Sequence, residues 1–260
     1  MKFKGVVLDV DGVLILGGTA IPGAGEAVKK LREGGLGIRV ITNNSTRSRR
    51  TLCKRLNELG IDVNEDEVIT SSSGTANYLK ERFGAGKVFI IGEQGIADEL
   101  VAVGFELTLE DDADFVVVGL DRQFNYDKLA TALNAIRKGA RFIATNDDAT
   151  LPVERGAEPG AGAMVAALIW CSQKKPEAVV GKPNSFLFEQ ALKELGTKAE
   201  ETLVVGDRLE TDIVGGNDLG MVTVLVLTGA STEEEWKRAE KGYNPRLLLK
   251  SIADLPEKVV

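Results

Sequence analysis

Two aspartates spaced two apart, Asp9 and Asp11, close the apolar run Val6-Val7-Leu8 and open onto Gly12. Side chains two apart on a strand share a face, so both carboxylates are expected to project together at the strand's carboxyl end. Like charges at that spacing repel unless a cation or protons compensate them. The pair suits a metal-bound carboxylate nucleophile with an acid/base partner. The plainer alternative is turn capping by aspartates. A calcium loop is excluded by spacing, because its fifth, sixth and twelfth positions would be Val13, Leu14 and Ala20.

Three more polar clusters follow apolar runs. Ile41-Thr42-Asn43-Asn44-Ser45 offers the Thr42 hydroxyl and, after it, main-chain N–H groups able to form a small anion-binding concavity. Helix capping by Asn44 or Ser45 is equally open. Val180-Gly181-Lys182-Pro183 places Lys182 within reach of an anion at a sheet edge, though without the spacing of a P-loop. In Gly206-Asp207-Arg208-Leu209-Glu210-Thr211-Asp212, Asp207 can supply a metal oxygen. Asp212 can orient a neighbour or a metal-bound water, or simply cap the next helix. The chain contains no histidine, so any metal must be held by oxygens, which points to a hard cation such as Mg²⁺.

The elements that must position these groups alternate. Strand-like runs fall at 6–8, 38–41, 88–91, 115–118, 142–144, 178–180, 203–205 and 222–226. Helical patterns fall between them at 25–32, 48–59, 75–83, 96–103, 126–138, 161–171, 185–195 and 211–219. Such alternation predicts an α/β fold with a mostly parallel, doubly wound sheet, whose ligand site lies at the carboxyl ends of its strands. The polar clusters all lie in the outer parts of the chain. Residues 1–77 and 178–260 are therefore expected to form a catalytic core, and 78–177 an inserted α/β cap domain.

Composition narrows the function. The 260 residues are 43% hydrophobic and 27% charged, which is ordinary for a soluble globular protein. A net charge of −7 argues against a nucleic-acid partner. The basic group Arg47, Arg49, Arg50, Lys54 and Arg55 reads as a solvated helix face. No apolar run approaches the ~18 residues of a membrane span. Two isolated cysteines, Cys53 and Cys171, suit the reducing cytoplasm.

The ordered set Asp-x-Asp, Thr-Asn-Asn, Gly-Lys-Pro and Gly-Asp-x-x-x-Thr-Asp closely resembles the haloacid dehalogenase (HAD) superfamily. With Thr145-Asn146-Asp147-Asp148 and Pro159-Gly160-Ala161-Gly162-Ala163 in the insertion, the chain is similar to the type IIA-capped branch of NagD and the 4-nitrophenyl phosphatases. The resemblance implies a HAD-like core, a specificity cap and hydrolysis of small phosphomonoesters through an aspartyl-phosphate. It implies Asp9 as nucleophile and Asp11 as acid/base. Mg²⁺ would be held by Asp9, the Asp11 carbonyl and Asp207, with Asp212 behind them. Thr42, Asn43, Asn44 and Lys182 would hold the phosphate.

Expected substrates are small phosphorylated metabolites: a sugar phosphate, phosphoglycolate or a nucleotide, and aryl phosphates in vitro. The loop at 146–152 and the turn at 160–162 are candidates for substrate contact, and a homodimer is possible. Branch members that prefer pyridoxal phosphate carry a histidine where Leu151 stands, which counts against that preference here. The alternative is a non-hydrolytic nucleotide- or phosphometabolite-binding protein. Against it, Gly23-x-Gly25 and Gly160-x-Gly162 both lack the third glycine of a dinucleotide fingerprint.

Overall fold

A strand flanked on both sides by parallel neighbours and on both faces by helices must be apolar throughout. The first strand, β1 (Gly5–Asp9), is of this kind, buried at all five positions. In the computed structural model, which describes residues 3–153, 156–239 and 241–260, ten further strands build two sheets. In chain order they are β2 (Gly37–Thr42), β3 (Val68–Thr70), β4 (Lys87–Ile91), β5 (Glu106–Leu107), β6 (Phe115–Val118) and β7 (Arg141–Ala144). Then come β8 (Ala178–Val179), β9 (Thr202–Gly206), β10 (Val222–Val226) and β11 (Leu247–Leu249). The principal helices are α1 (Ala24–Glu33), α2 (Arg49–Glu58), α3 (Ser71–Phe83), α4 (Gln94–Ala102), α5 (Tyr126–Lys138), α6 (Ala161–Ser172), α7 (Phe186–Leu195) and α8 (Val214–Asp218). Two short hairpins, Ile15–Leu16 with Thr19–Ala20 and Thr150–Val153 with Gly156–Pro159, add antiparallel pairs.

The chain divides into two units, one of Met1–Thr42, Leu52–Ile69 and Lys182–Val260, the other of Asn43–Thr51 and Thr70–Gly181. The first holds a six-stranded sheet in the order β11-β10-β9-β1-β2-β3. β1 lies parallel to both β9 and β2, with Leu8 level with Val205 and Asp9 level with Ile41. The chain leaves β1 toward β2 on one side and returns later to β9 on the other. That reversal makes the carboxyl end of β1 the switch point where open α/β sheets bind ligands. Helix α1 shows why the layer forms: Ala24, Ala27, Val28 and Leu31 recur at helical spacing and are buried against Val6, Leu8 and Val205 in the same core.

The second unit carries its own sheet, β8-β7-β6-β4-β5, parallel at every pairing. Its core joins Val116, Val118 and Phe142 to Ala132, Ile136, Val165 and Leu168 of α5 and α6. Helix α5 is bounded by an Asn125 side chain accepting from the Lys128 N–H at 3.0 Å and by Gly139 in the left-handed region at φ 112°.

Two details around the inserted region differ from the sequence reading. The run at 178–180, taken as a strand of the outer region, is β8 and pairs with β7 in the second sheet. The loop at 146–152 ends in one arm of a hairpin, which opens with Thr150 opposite Pro159. Among the described residues, no helix is long and apolar enough to cross a membrane.

Candidate active site

β1 ends on Asp9, and the neighbouring β9 ends on Gly206, so Asp9 and Asp207 leave adjacent parallel strands at the same edge. Asp212 comes back to that edge from a π-type turn at Leu209–Ile213, a wide helical turn of the kind often found at functional sites. Carboxylate oxygens of Asp9, Asp207 and Asp212 all lie within 4.8 Å of one another, and all three residues are buried. Lys182, itself only 3% exposed, donates to Asp9 Oδ1 at 2.5 Å and to Asp212 Oδ1 at 2.6 Å.

Main-chain groups hold the carboxylates in place. Ala230 N–H donates to Asp207 Oδ2 at 2.7 Å, and Arg208 N–H to Asp212 Oδ2 at 3.2 Å. Ser231 ties the two loops together: its N–H meets the Asp207 carbonyl at 3.0 Å and its Oγ accepts from Leu209 N–H at 3.1 Å. Glycines make the room. A Cβ on Gly12, whose φ is +84°, or on Gly229 would fall on the Asp207 side chain, and one on Gly206 on Asp212. Gly229, Ala230 and Ser231 were not singled out from sequence. Their only signal is a Gly-Ala-Ser turn after an apolar strand.

The electrostatics are unbalanced. Burial, opposed by Lys182 and reinforced by the Asp212 and Asp207 charges, drives the Asp9 carboxyl well above the usual carboxylate range. Burial and then Asp212 push Asp207 up to about 6. For Lys182, burial favours the neutral amine, but Asp212 and Asp9 more than offset it and hold the ammonium form. Inside the cluster one ammonium faces three carboxylates, with the partly buried Arg208 favouring the Asp207 carboxylate from beside it, so the ionised buried set is acidic by two charges before Arg208 is counted. An all-oxygen, doubly negative cradle of this size matches a hard divalent cation.

Asp11 lies beyond the end of the strand whose alternation would orient it. β1 stops at Asp9, so strand alternation no longer governs the next residues. Asp11 lies on a tight turn where Gly12 N–H donates to the Ile15 carbonyl at 2.7 Å, and it is exposed rather than grouped with the three carboxylates. Thr228 Oγ1 braces the same turn through the Gly12 carbonyl at 2.6 Å. Thr42, 2% exposed, ends β2 beside β1.

Asn43 and Asn44 belong to the second unit. Asn44 Oδ1 accepts from Thr46 N–H at 2.9 Å and Thr46 Oγ1 at 2.7 Å, a local turn rather than the helix cap expected of Asn44 or Ser45, because α2 begins only at Arg49, where Ser48 Oγ accepts from Thr51 N–H at 3.4 Å. Asn43 Nδ2 donates to Asp148 Oδ2 at 3.0 Å, and Asn146 Nδ2 donates to the same oxygen at 2.5 Å. Buried serines at the start of α3 hold the adjacent main chain: Ser71 Oγ donates to the Asn43 carbonyl and Ser72 Oγ to the Ser45 carbonyl, both at 2.7 Å. Gly160 is the N-terminal cap position of α6, and a Cβ on it or on Gly162 would strike main-chain oxygens of Asp147 or Asp148. Arg49, from the basic group, is bound by the buried Glu99 of α4.

Comparison with known proteins agrees with this geometry. Residues 6–106 match the profile of haloacid dehalogenase-like hydrolases, and residues 179–255 match a second HAD-like hydrolase profile. The chain is 40% identical over 232 residues to the 5'-nucleotidase YutF of Bacillus subtilis, covering 89% of this chain and 90% of that one. A p-nitrophenyl phosphatase from Archaeoglobus fulgidus superposes with a TM-score of 0.93 at 39% identity, covering 99% of each chain. NagD of E. coli K-12 superposes with a TM-score of 0.88 at 36% identity, covering 98% of each. With the acidic cluster at the switch point, these likenesses place the chain among the haloacid dehalogenase-like hydrolases, as a phosphomonoester hydrolase of the NagD and nitrophenyl phosphatase branch.

Proposed function

We propose that this chain is a Mg²⁺-dependent phosphatase of small phosphorylated metabolites that works through an aspartyl-phosphate on Asp9. The observation that carries the reading is the buried cluster of Asp9, Asp207 and Asp212 against the single ammonium of Lys182. The cation would be held by the carboxylates of Asp9 and Asp207 and the Asp11 carbonyl, with Asp212 steadying the set. When bound, it supplies positive charge that keeps Asp9 ionised and draws the phosphoryl oxygens in.

Asp9 Oδ attacks phosphorus while the bond to the leaving oxygen breaks, and the Asp11 carboxyl gives that oxygen its proton. Water then attacks the acyl phosphate, Asp11 takes a proton from it, and inorganic phosphate leaves as the Asp9 carboxylate returns. Lys182 lies against Asp9, where it also faces the transferring oxygens. The Thr42 hydroxyl and the main-chain N–H groups of Asn43 and Asn44 complete the phosphate cradle. Fixed charges and dipoles of this kind are the main thing a protein adds to phosphoryl transfer.

The second unit, which contains 78–177, acts as the specificity cap, and the enzyme works in the cytoplasm. The relatives' names point to nucleotides and aryl phosphates as the first substrates to try. The test is phosphate release from 4-nitrophenyl phosphate and a panel of sugar phosphates and nucleotides, with Mg²⁺ and after chelation. Parent protein should turn over only with the cation. Asp9→Asn should fall to background, and Asp11→Asn should slow turnover about 10²–10⁴-fold. Parent-level hydrolysis by Asp9→Asn would remove the nucleophile.

A further inference from the structure

The side chain of Asn43 is turned away from the role its position suggests. Its amide donates to Asp148 Oδ2, an oxygen that also takes the Asn146 amide. Asn146 is in turn fixed by Thr145 Oγ1, which donates to Asn146 Oδ1 at 2.9 Å, and both residues are buried. The Asn43 carbonyl is held by Ser71 Oγ at 2.7 Å. On the remaining side Gly181 packs so closely that a Cβ there would stand 2.7 Å from Asn43 Oδ1. Two residues on, Ser45 is fixed as well, its carbonyl by Ser72 Oγ and its Oγ by the Leu120 N–H at 3.2 Å. Every one of these partners belongs to the second unit.

We infer that Asp148 is a positioning residue: by gripping the Asn43 amide it sets the orientation of the main chain that follows Thr42 and thereby of the N–H groups offered to the phosphate. This rests on the proposed function for the identity of the ligand, but the tether itself does not. The argument is one of degrees of freedom. Thr42 is fixed by β2, whereas the peptides after it leave the sheet and have no ladder to hold them. A charged acceptor two-thirds of the way along the insertion, sequence-distant by 105 residues, adds a hold on the Asn43 side chain to those that Ser71 and Ser72 place on the carbonyls. A carboxylate accepting two amide protons is stronger than a neutral partner, and it fixes which face the Asn43 peptide presents. The side chain of Asn43 is thus a strut, and the phosphate is met by main chain.

Four variants test this: Asn43→Ala, Asp148→Ala, the double, and Asp148→Asn. Each single change to alanine should lower kcat/KM for an aryl phosphate about tenfold and weaken competitive inhibition by inorganic phosphate by a similar factor. The double should be no worse than either single, because both remove one interaction. Asp148→Asn, which retains one accepting oxygen, should fall between parent and Asp148→Ala. Independently of activity, hydrogen–deuterium exchange of residues 42–47 should rise in Asp148→Ala. Strictly additive losses, or a lowered thermal midpoint with kcat/KM and phosphate inhibition unchanged, would overturn the positioning role. Unchanged exchange would overturn the tether even if the parent released no phosphate, whereas a parent inactive on every phosphomonoester, with the exchange rise intact, would sink the functional reading alone.

Discussion

Buried carboxylates are matched by cations at several places in the molecule, but not at the carboxyl edge of β1. In the second unit Glu99, 4% exposed, receives the Arg49 main-chain N–H at 2.6 Å and the guanidinium Nε at 3.1 Å. Asp121, 1% exposed, is matched by the Lys128 ammonium at 2.6 Å and the Gln123 N–H at 2.8 Å. Each acid there has its own cation. At the carboxyl edge of β1, three acids share Lys182. Matched acids hold a fold together; unmatched ones store repulsion that only a further positive charge relieves. The same residue types therefore mean different things according to the local count of charge.

The contrast predicts opposite signs. Mg²⁺ at a hundredfold its dissociation constant should stabilise the parent by about 2.7 kcal/mol, read as a rise in thermal midpoint that chelation reverses. Asp207→Asn should lose most of that rise. In the absence of cation it should melt no lower than the parent, because one like charge is gone while the Ala230 N–H keeps an acceptor. A cation response retained in full by Asp207→Asn would erase the distinction.

Glu99→Gln should do the reverse. Losing the charge opposite Arg49 should cost about 1–3 kcal/mol in denaturant unfolding, equally with and without Mg²⁺. A Mg²⁺-dependent loss would mean that this pair is not merely structural.

The smallest effect belongs to Glu67, bound by Arg32 at 2.6 and 3.0 Å in the first unit. Burial raises its pKa, but the Arg32 hydrogen bonds and the Asn64 N–H outweigh that and leave it below the ordinary glutamate value. A carboxylate lowered on folding contributes stability above its unfolded pKa of about 4.3, and loses it as pH falls through the folded value. With Arg32 37% exposed, the contribution is about 1 kcal/mol. Glu67→Gln should therefore be less stable than the parent at pH 7, and the two should converge below about pH 4. A constant difference across that range would remove the linkage.

Much of this contrast can be seen in the sequence, but not all of it. Asp9, Thr42, Lys182 and Asp207 each stand beside an apolar strand run, and four such ends in order are visible along one dimension. That Asp212 joins the acids on equal terms with Asp207 is not visible, because a π-type turn rather than a regular helix brings it back. Asp11 shows the limit of strand periodicity: the pattern holds to Asp9 and then the backbone turns. β8 was legible as a strand but not as to its sheet, since a two-residue strand has too little pattern to choose partners. β3 and β11, three residues each, and the hairpin at Thr150–Val153 were missed for the same reason. The contact of Asn43 with Asp148 spans 105 residues and leaves no local trace.

The glycines at 12, 206 and 229 carry one last implication. Asp207 and Asp212 occupy volumes that any β-carbon at those three places would claim, so even a single methyl must evict an acid. What the pocket omits is therefore as much a part of its specification as what it contains. A drifting lineage could trade surface charges freely and still find these three doors closed to every larger residue.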